Sequence, residues 1–487
     1  MPGLWDCHPW SRSVGEDWPV HIIVVGAGEV GSYVAERLSS QGHHVALIES
    51  DPVRFREIQE GLDVLTIHGS GTDPETLRAA GVAQADLLVA VTPYDETNIL
   101  SALLARGSGV SKTVVRVESR GLRHADVDAL FDGADDHLVI DPDEEVAHAV
   151  LRLMEYPGAM EVNQMAGGEV EVLTARLPGH APLVGMSLKT LGVELEPDWD
   201  FIVGSITRRD GDADEEVTII PRGDWILREG DLLTVICKRR ALRDVTARMG
   251  LSRDMPDRAL LLGGGRTAQM LAESLIQRGL DVAIIEEKKE RAAELSELVE
   301  LEKALVYEGD ITDATMLDEA GVASQDVVIA LTGADDANVL ACLYAKAAGR
   351  RHRRSGEAGG PETIAVVHRL QLLDLLETHE VDTTLSPRTA TANSVLRFVR
   401  GEGDTVAAVA TSLHGDAEVL EFAVTEGCRC DGRLIADLGL HEDVLIAAIV
   451  RDGKPQIGRG RSTLRARDHV IAVTRPDSAP LLSSLFE

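Results

Sequence analysis

The sequence is poor in cysteine, aromatic residues, lysine and long apolar runs. Five cysteines are scattered over 487 residues, which excludes a disulfide framework and indicates reduced thiols. Aromatic residues make up 3%, so aliphatic side chains must fill the cores. Eight lysines and a net charge of −33 argue against partners that attract basic surfaces, namely nucleic acid and anionic lipid. No apolar run approaches the ~18 residues that a membrane-spanning helix needs.

Two short features are interpreted conservatively. Residues 1–19 lack the basic start and apolar stretch of a signal peptide, so we expect an N-terminal extension. Cys428 and Cys430 form a C-x-C pair, which we interpret as part of a turn between strands; metal or redox use is the alternative.

What the sequence does contain is a repeat of itself. "IIVVGAGEVGSYVAERL" (22–38) has an echo 237 positions later in "LLLGGGRTAQMLAESL" (260–275). The stretch that ends in "VTPYDETNIL" matches one that ends in "LTGADDANVL" at an offset of 240, and segment 185–211 matches segment 432–453 at 247. The chain therefore consists of a large unit and a small β-rich unit, followed by a second copy of each, which indicates duplication.

The large units alternate short β-branched apolar runs with helical patterns, as in parallel sheets covered by helices on both faces. Asp51-Pro52 and Asp73-Pro74 have the pattern of an N-cap followed by the first helical residue. The predicted fold class is α/β: two Rossmann-like parallel-sheet domains, each followed by a small β-rich α+β domain. The predicted boundaries are an N-terminal extension (1–19), Rossmann domain 1 (20–140), a linker helix (141–165), small domain 1 (166–250), Rossmann domain 2 (256–390), a second linker helix (391–405) and small domain 2 (406–487).

The first glycine turn is a complete G-x-G-x-x-G that follows a strand and opens a helix: Gly26, Ala27, Gly28, Glu29, Val30 and Gly31. In this motif the first glycine permits the turn, the second lets a pyrophosphate approach, and the third lets helix and strand pack. The helix N-terminus adds free N–H groups for the phosphates. Glu49 ends the second strand, where an acid accepts bonds from ribose hydroxyls and favours NAD(H) over NADP(H). The alternative is a Rossmann-like fold that binds no nucleotide.

Arg116 lies inside an apolar strand, and a buried charge requires a partner. That partner is either a nucleotide phosphate or an acid such as Glu118 or Asp86, and we favour the phosphate. Other candidates follow the predicted strands, where such sheets bind ligands: Gly69, Thr92 and Pro93.

The second glycine turn departs from the motif. It comprises Gly263, Gly264, Gly265, Arg266 and Thr267, followed by Ala268 in place of the third glycine. Glu286 keeps the ribose acid, but His368 stands where the first half has Arg116, which weakens the case for a phosphate contact. Nucleotide binding and a purely structural role both remain open for this half.

A dehydrogenase needs a substrate domain and a proton-transfer group near the nicotinamide. The small units are too short for the first, and the sequence shows no Ser-x-x-x-Tyr-x-x-x-Lys arrangement and no metal-ligand cluster. We therefore expect no catalytic residues, no metal and a sensor rather than an enzyme. The alternatives are an NAD-dependent oxidoreductase and a soluble nucleotide or redox sensor without a channel partner.

"GAGEVG", "GTDPETLRAAGVAQADLLVAVTPYDETN", "LMEYPGAM" and the duplicated order resemble the TrkA family, the cytoplasmic regulatory subunits of Trk-type potassium uptake systems, over about residues 20–478. The resemblance implies that the large units are RCK N-terminal domains that bind NAD(H), with ATP or ADP as further candidates, and that the small units are RCK C-terminal domains. The residues it marks for the cofactor are Gly26 to Val30, Glu49, Thr92, Pro93 and Arg116 in the first half, and Gly263 to Thr267 and Glu286 in the second.

The resemblance also implies an assembly. Four chains would close a ring of eight RCK units, because each second half stands in for a second subunit, and the ring would sit on a membrane-embedded Trk-type potassium channel subunit. The chain would then be cytoplasmic and peripheral on the inner face of the membrane through that partner. We expect no nucleic acid partner and no direct binding to lipid.

Overall fold

The computed structural model describes residues 20–40, 43–119, 122, 126–127, 129–131, 136–209, 216–251, 256–352, 360–369, 381–400, 406–411, 417–475 and 478–486. The predicted N-terminal extension (1–19) and residues 401–405 of the predicted second linker helix lie outside these residues.

The first half begins with a doubly wound parallel sheet. Its elements are β1 (His21–Val25), α1 (Glu29–Ser40), β2 (His44–Glu49), α2 (Pro52–Gly61), β3 (Leu65–His68), α3 (Pro74–Ala79), β4 (Leu87–Ala90), α4 (Asp95–Gly107), β5 (Lys112–Arg116) and β6 (His137–Ile140). The strands are parallel and lie in the order β3-β2-β1-β4-β5-β6. This order reverses direction between β1 and β4, which is where such sheets bind nucleotides.

A helix then leads into a small antiparallel sheet. The elements are α5 (Pro142–Glu155), β7 (Glu161–Met165), β8 (Val170–Arg176), α6 (Leu188–Glu194), β9 (Phe201–Arg209), β10 (Glu216–Ile219), β11 (Leu232–Lys238) and α7 (Leu242–Arg248). The strand order is β10-β9-β11-β8-β7. The predicted linker segment 141–165 thus holds both α5 and the edge strand β7.

The second half repeats this plan strand for strand. Its sheets run in the orders β14-β13-β12-β15-β16-β17 and β18-β19-β22-β20-β21. The elements are β12 (Arg258–Leu262), α8 (Arg266–Gln277), β13 (Asp281–Glu286), α9 (Lys289–Glu297), β14 (Leu305–Glu308), α10 (Ala314–Glu319), β15 (Val327–Ala330), α11 (Asp335–His352), β16 (Glu362–Val366), β17 (Thr383–Leu385), α12 (Pro387–Arg400), β18 (Val406–Thr411), β19 (Glu418–Ala423), β20 (Val444–Arg451), β21 (Lys454–Ile457), β22 (His469–Thr474) and α13 (Ala479–Ser483).

The predicted N-caps are confirmed. The Asp51 side chain accepts hydrogen bonds from Val53 N and Arg54 N at 2.8 and 2.9 Å, and Pro52 is the first residue of α2. Asp73 does the same for α3. Each carboxylate satisfies backbone N–H groups that the helix itself leaves free, which fixes where these helices begin.

The two linker helices exchange places between the halves. Val150 and Leu153 of α5 share a core cluster with Leu271 of α8, so the helix that leaves the first sheet packs on the second domain. In return, Val395 of α12 shares a core cluster with Val34 of α1. Helices α5 and α12 also pack against each other. The cores of the two large domains are therefore each completed by a helix from the other half.

The two small sheets also pack face to face. Val172 and Ile236 from the first share a core cluster with Val419 and Ile471 from the second.

None of the helices in the described ranges combines the length and apolar character that crossing a membrane requires.

Candidate nucleotide site

The first glycine loop has the geometry that the motif predicts. Gly26 has a φ of 98°, and a Cβ there would lie 2.9 Å from Thr92 Cγ2. A Cβ on Gly31 would lie 1.9 Å from the carbonyl oxygen of Gly26, so only glycine lets α1 start this close to the turn. A Cβ on Gly28 would meet no atom within 4 Å. Gly26 therefore permits the turn, Gly31 permits close packing of helix and strand, and Gly28 leaves the backbone open to a ligand, as the motif predicts.

Glu49 is tied to this loop. Its side chain is buried, and Oε2 accepts a hydrogen bond from Ala27 N at 2.8 Å while Oε1 accepts one from Asp51 N at 2.7 Å. The carboxylate therefore stands beside the glycine turn at the end of β2, where the ribose of a dinucleotide would lie. Glu49 and the loop are brought together as predicted.

A buried asparagine, which sequence reasoning did not single out as a site residue, holds the neighbouring strand ends. Asn98 Nδ2 donates to the carbonyl oxygens of Thr92 at 2.8 Å and Arg116 at 2.9 Å, and Asn98 Oδ1 accepts from Thr92 N at 2.9 Å. The second half repeats the arrangement with Asn338 and Thr332. The signal was the shared Asn of "DETN" and "DDAN", and its role is to fix the loop that follows β4.

Arg116 is paired with an acid. Its Nε donates to Glu118 Oε1 at 2.9 Å, and the guanidinium forms an ion pair with the same carboxylate. An acid such as Glu118 was one of the two partners predicted for the Arg116 charge, and a nucleotide phosphate was the favoured one. The side chain also lines a cavity, so its contact with a phosphate stays a proposal.

That cavity, of about 420 Å³, lies between the two halves. The first half contributes the N-terminus of α1 and the end of β5, and the second contributes the N-terminus of α8 and the ends of β15 and β16. The helices that follow the two glycine turns therefore both begin at this one space. Its charged and polar lining includes Glu29, Arg116, Arg266, Thr267, His368 and Arg388.

Six of the predicted cofactor residues line this cavity, namely Glu29, Val30, Arg116, Gly265, Arg266 and Thr267. The others, Gly69 and Pro93 among them, do not line it. Gly69 follows β3, and a Cβ there would lie 2.5 Å from Thr76 Oγ1, so this glycine permits packing against α3. Pro93 lines a separate surface groove together with Tyr94, Leu100 and Leu103.

The second loop keeps the turn and the acid of the first loop, but it differs at Gly264 and at Ala268. Gly263 makes the same turn with a φ of 102°, and a Cβ on Gly265 would meet nothing within 4 Å. A Cβ on Gly264 would lie 2.6 Å from Leu295 Cδ1, and Arg291 Nε donates to the Gly264 carbonyl oxygen at 2.8 Å, so α9 covers this loop more closely. Ala268 is fully buried in the place of the third glycine. Glu286 Oε2 accepts from Gly264 N at 2.7 Å, as Glu49 does from its loop.

Arg266 and Thr267, predicted as cofactor residues, line the shared cavity and also contact the first half. Arg266 forms an ion pair with Asp141 and donates to the carbonyl oxygen of Glu118, and Thr267 donates to Asp143. Burial raises the pKa of the Asp141 carboxyl, and the Arg266 charge opposes this shift.

The structure corrects the predicted match between His368 and Arg116. Val366 occupies the place of Arg116, because Asn338 donates to its carbonyl oxygen as Asn98 does to that of Arg116. His368 is the equivalent of Glu118, since its backbone N–H donates to Asp335 as that of Glu118 does to Asp95.

His368 is held by an acid. Its backbone N–H and ring Nδ1 both lie within hydrogen-bond distance of Asp335 Oδ1, at 2.9 and 3.1 Å. Burial acts to raise the pKa of Asp335, but hydrogen bonds from His368 and Arg369 outweigh it and lower that pKa to about 2. Asp335 thus stays ionised and fixes the end of β16.

The cysteine pair lies in the turn between β19 and β20. Cys428 and Cys430 are buried, and their Sγ atoms are 3.2 Å apart. Across the described part of the chain, no three His, Cys, Asp or Glu side chains are grouped to hold a metal ion.

Comparison with known domain families shows the same alternation. The TrkA-N domain family matches residues 22–130 and 259–387, and the TrkA-C domain family matches residues 172–250 and 419–487. The class of protein is therefore a tandem duplication of a TrkA-N and a TrkA-C domain, which confirms the duplicated order inferred from the repeat.

Three curated relatives match this chain over nearly their whole length. The Trk system potassium uptake protein TrkA of Halomonas elongata is 32% identical over 457 residues, which cover 92% of this chain and 94% of that protein. TrkA of Haemophilus influenzae is 30% identical over 477 residues, with 96% and 98% covered. TrkA homolog 2 of Methanosarcina mazei is 31% identical over 473 residues, with 96% and 99% covered. The chain belongs to the TrkA family.

Solved structures show the same fold. The GsuK RCK domain superposes with a TM-score of 0.55 at 17% identity, covering 97% of this chain and 96% of that one. The GsuK channel bound to NAD superposes with a TM-score of 0.57 at 18% identity, covering 97% and 80%. The predicted fold class, two RCK-type halves, is confirmed.

Proposed function

We propose that this chain is the regulatory nucleotide-binding subunit of a Trk-type potassium uptake system and gates its membrane-embedded subunit. The observation that carries the proposal is the complete first glycine loop, whose Glu29 and Val30 line a cavity shared by both halves. The curated relatives carry the name of potassium uptake proteins, and one structure of like fold is described as the GsuK channel bound to NAD.

The ligand we propose is NAD(H), with ATP or ADP as competitors for the same loop. The open backbone over Gly28 leaves room for a pyrophosphate, and the N-terminus of α1 supplies N–H groups for it. Glu49 would receive the adenosine ribose, and Arg116 would face the phosphates from the end of β5. In the second half, the residues proposed to hold a nucleotide are Gly263 to Thr267 and Glu286.

The action we propose is regulation without chemistry. A ligand between two halves shifts their relative orientation only if it binds one orientation more tightly than the other. Because α5 and α12 complete the cores of opposite halves, a change at the shared cavity is carried into both sheets. The support for a regulatory role over catalysis is the family and the absence of a catalytic grouping in the sequence.

The assembly we propose is a tetramer that forms a ring of eight RCK units beneath the membrane subunit, on the cytoplasmic side. Helices α4 and α11 occupy equivalent places in the repeat, and each exposes an equivalent leucine: Leu100 is 46% exposed and Leu340 is 59% exposed. Exposed apolar side chains at matching positions support a surface that another unit covers. Attachment through a protein partner fits the net charge of −33, which disfavours anionic lipid.

The decisive experiment measures potassium flux through the Trk-type membrane subunit of the same genome, reconstituted in vesicles. We expect flux to depend on this chain and to change when NADH or ATP is added. The Gly28→Val chain should bind the membrane subunit but no longer respond to nucleotide. Flux that ignores both the chain and nucleotide would exclude the proposal, and turnover of NADH with a small substrate would favour an oxidoreductase instead.

A further inference from the structure

The places where the two linker helices cross between the halves carry two ion pairs of opposite arrangement. At one crossing, Arg266 Nη1 of α8 lies 3.7 Å from Asp143 Oδ2 of α5, and Arg266 is also paired with Asp141. At the other, Arg388 Nη2 of α12 lies 3.4 Å from Glu29 Oε1 of α1. In each case, the helix that follows the glycine turn of one half (α1 or α8) is joined to the linker helix of the other half (α12 or α5).

These two contacts are equivalent in the repeat. Glu29 and Arg266 are each the first residue of the helix that follows the glycine turn, and they match at the offset of 237. Asp143 and Arg388 are each the second residue of a linker helix that begins with proline. The same contact is therefore made twice, with the charges exchanged.

The exchange has a consequence for pairing between like halves. If a first half met another first half in the same geometry, Glu29 would face Asp143 and the neighbouring Asp141. If a second half met another second half, Arg266 would face Arg388. Only the pairing of unlike halves places opposite charges together at both crossings.

We propose that these exchanged charges make each half pair with the unlike half and reject a like half from another chain. Specificity of this kind arises when the wrong partner is met by like charges. The side chains are shielded enough for the charges to matter: Asp141 is 3% exposed, Arg266 24% and Arg388 23%. Coulomb interactions are screened less at such positions than between fully solvated groups. Glu29, at 55%, is the most exposed member.

Pairing of unlike halves keeps the order of sites fixed. Every first glycine loop then faces a second loop across the shared cavity, and no two first loops share one. The proposal concerns assembly alone and does not depend on which nucleotide binds or on the membrane partner.

The test is a chain in which both crossings carry the same arrangement. Asp143→Arg with Arg266→Glu, together with Asp141→Ser, gives the first crossing the residues of the second, whose equivalent of Asp141 is Ser386. Each contact inside the chain stays complementary, but like halves become complementary too. Full-length chains are unfolded in urea and refolded at several protein concentrations.

The experiment identifies the linker helix that α1 contacts, by photocrosslinking from α1. Tyr33 of α1 packs against the core cluster that contains Ala392 and Val395 of α12, so a photoreactive benzoylphenylalanine at position 33 labels its neighbour. In the natural chain we expect label on residues 387–400 of the same chain. In the symmetrised chain we expect added covalent dimers, labelled on residues 142–155 of a second chain, that increase with concentration during refolding.

Two further chains make the outcome decisive. Adding Glu29→Arg and Arg388→Asp to the symmetrised chain exchanges every charge, which again favours unlike halves, and the labelling should return to the natural pattern. Glu29→Arg with Arg388→Asp alone gives the second crossing the charge arrangement of the first, so like halves again become complementary and dimers should form. Because this crossing is more exposed, the variant still tests the proposal if the chain altered at Asp141, Asp143 and Arg266 misfolds. Intrachain labelling only, in both symmetrised chains at every concentration, would overturn the proposal, as would equal dimer yields from the fully exchanged and symmetrised chains.

Discussion

Glu49 Oε2 accepts a hydrogen bond from Ala27 N at 2.8 Å, and its other oxygen accepts one from Asp51 N at 2.7 Å. Both partners are backbone donors, so a group in this position must offer two acceptors. We expect Glu49→Gln to lower the free energy of unfolding by about 1–3 kcal/mol, because the amide places one N–H against a donor. The preference for NADH over NADPH should also shrink, since an amide does not repel a 2′-phosphate. Chemical denaturation and calorimetric titration measure the two effects.

Glu286→Gln is the matched control for that variant. Glu286 makes the equivalent bonds to Gly264 N and Lys288 N, at 2.7 and 2.8 Å. It should cost similar stability and leave the tighter nucleotide site unaltered. Unchanged selectivity between NADH and NADPH in Glu49→Gln would remove this residue from the proposed ribose contact.

The second prediction concerns the two loops. A Cβ at Gly28 or at Gly265 meets no protein atom within 4 Å, so valine at either place should leave the fold intact and obstruct only a ligand. We expect the first loop to bind nucleotide roughly ten- to a hundredfold more tightly, equivalent to about 1.5–3 kcal/mol, because the second half has Val366 in the place of Arg116 and no guanidinium there for a phosphate. Titration of the full chain with NADH should therefore lose its tight phase in Gly28→Val and keep it in Gly265→Val. The reverse result would assign the tight site to the second half.

The third prediction is a dependence of stability on pH. Burial raises the pKa of Glu171 to about 7, although Arg239 and a hydrogen bond from Gln164 oppose the shift. Its Oε2 finds no hydrogen-bond partner among the described residues. Because the folded pKa exceeds the unfolded value, the stabilisation is complete below the unfolded pKa and is lost as the pH rises through about 7.

Glu171→Gln should abolish this loss, since the amide never ionises. Melting temperatures measured from below the ordinary pKa of 4.5 to well above 7 should converge at the acid end, and the variant should melt higher at the alkaline end. Glu169→Gln, at an exposed residue just before β8, serves as control and should follow the natural chain. An identical slope for all three chains would show that Glu171 does not titrate in this range.

The fourth prediction concerns assembly. Leu100→Asp and Leu340→Asp place a charge on exposed positions of α4 and α11, so neither should unfold the chain. If these helices meet other units, each variant should lower the mass in light scattering from about four chains to a smaller species. Leu65→Asp, at a residue that is 59% exposed on β3, is a control that should keep the mass. A natural chain that is strictly monomeric in moderate to high salt would contradict the ring.

Much of the fold follows from local patterns. Apolar runs such as His21–Val25 and Leu87–Ala90, separated by helical segments, predict buried parallel strands because both faces of such a sheet are covered. The caps at Asp51 and Asp73 and the glycine turn at Gly26 involve residues close in sequence, so spacing alone identifies them.

The exchange of linker helices does not follow from the sequence. The pattern of α5 predicts an apolar face, with Val150 and Leu153 on it, but both α1 and α8 offer a matching surface. Since the halves are repeats, periodicity cannot decide which one α5 covers. The same limit applies to Arg116: its charge predicted a partner, while the choice between phosphate and Glu118 depends on tertiary placement.

The exchanged helices also set an order of events during synthesis. The apolar face of α5 finds its cover on α8, whose Leu271 is translated 121 residues after Val150. At roughly 5–20 residues per second, that face is without its partner for about 6–24 s on the ribosome. Helix α12 emerges after α1 and meets a surface that already exists. The nascent first half is therefore the stage at which the chain is most exposed to aggregation and most in need of a chaperone.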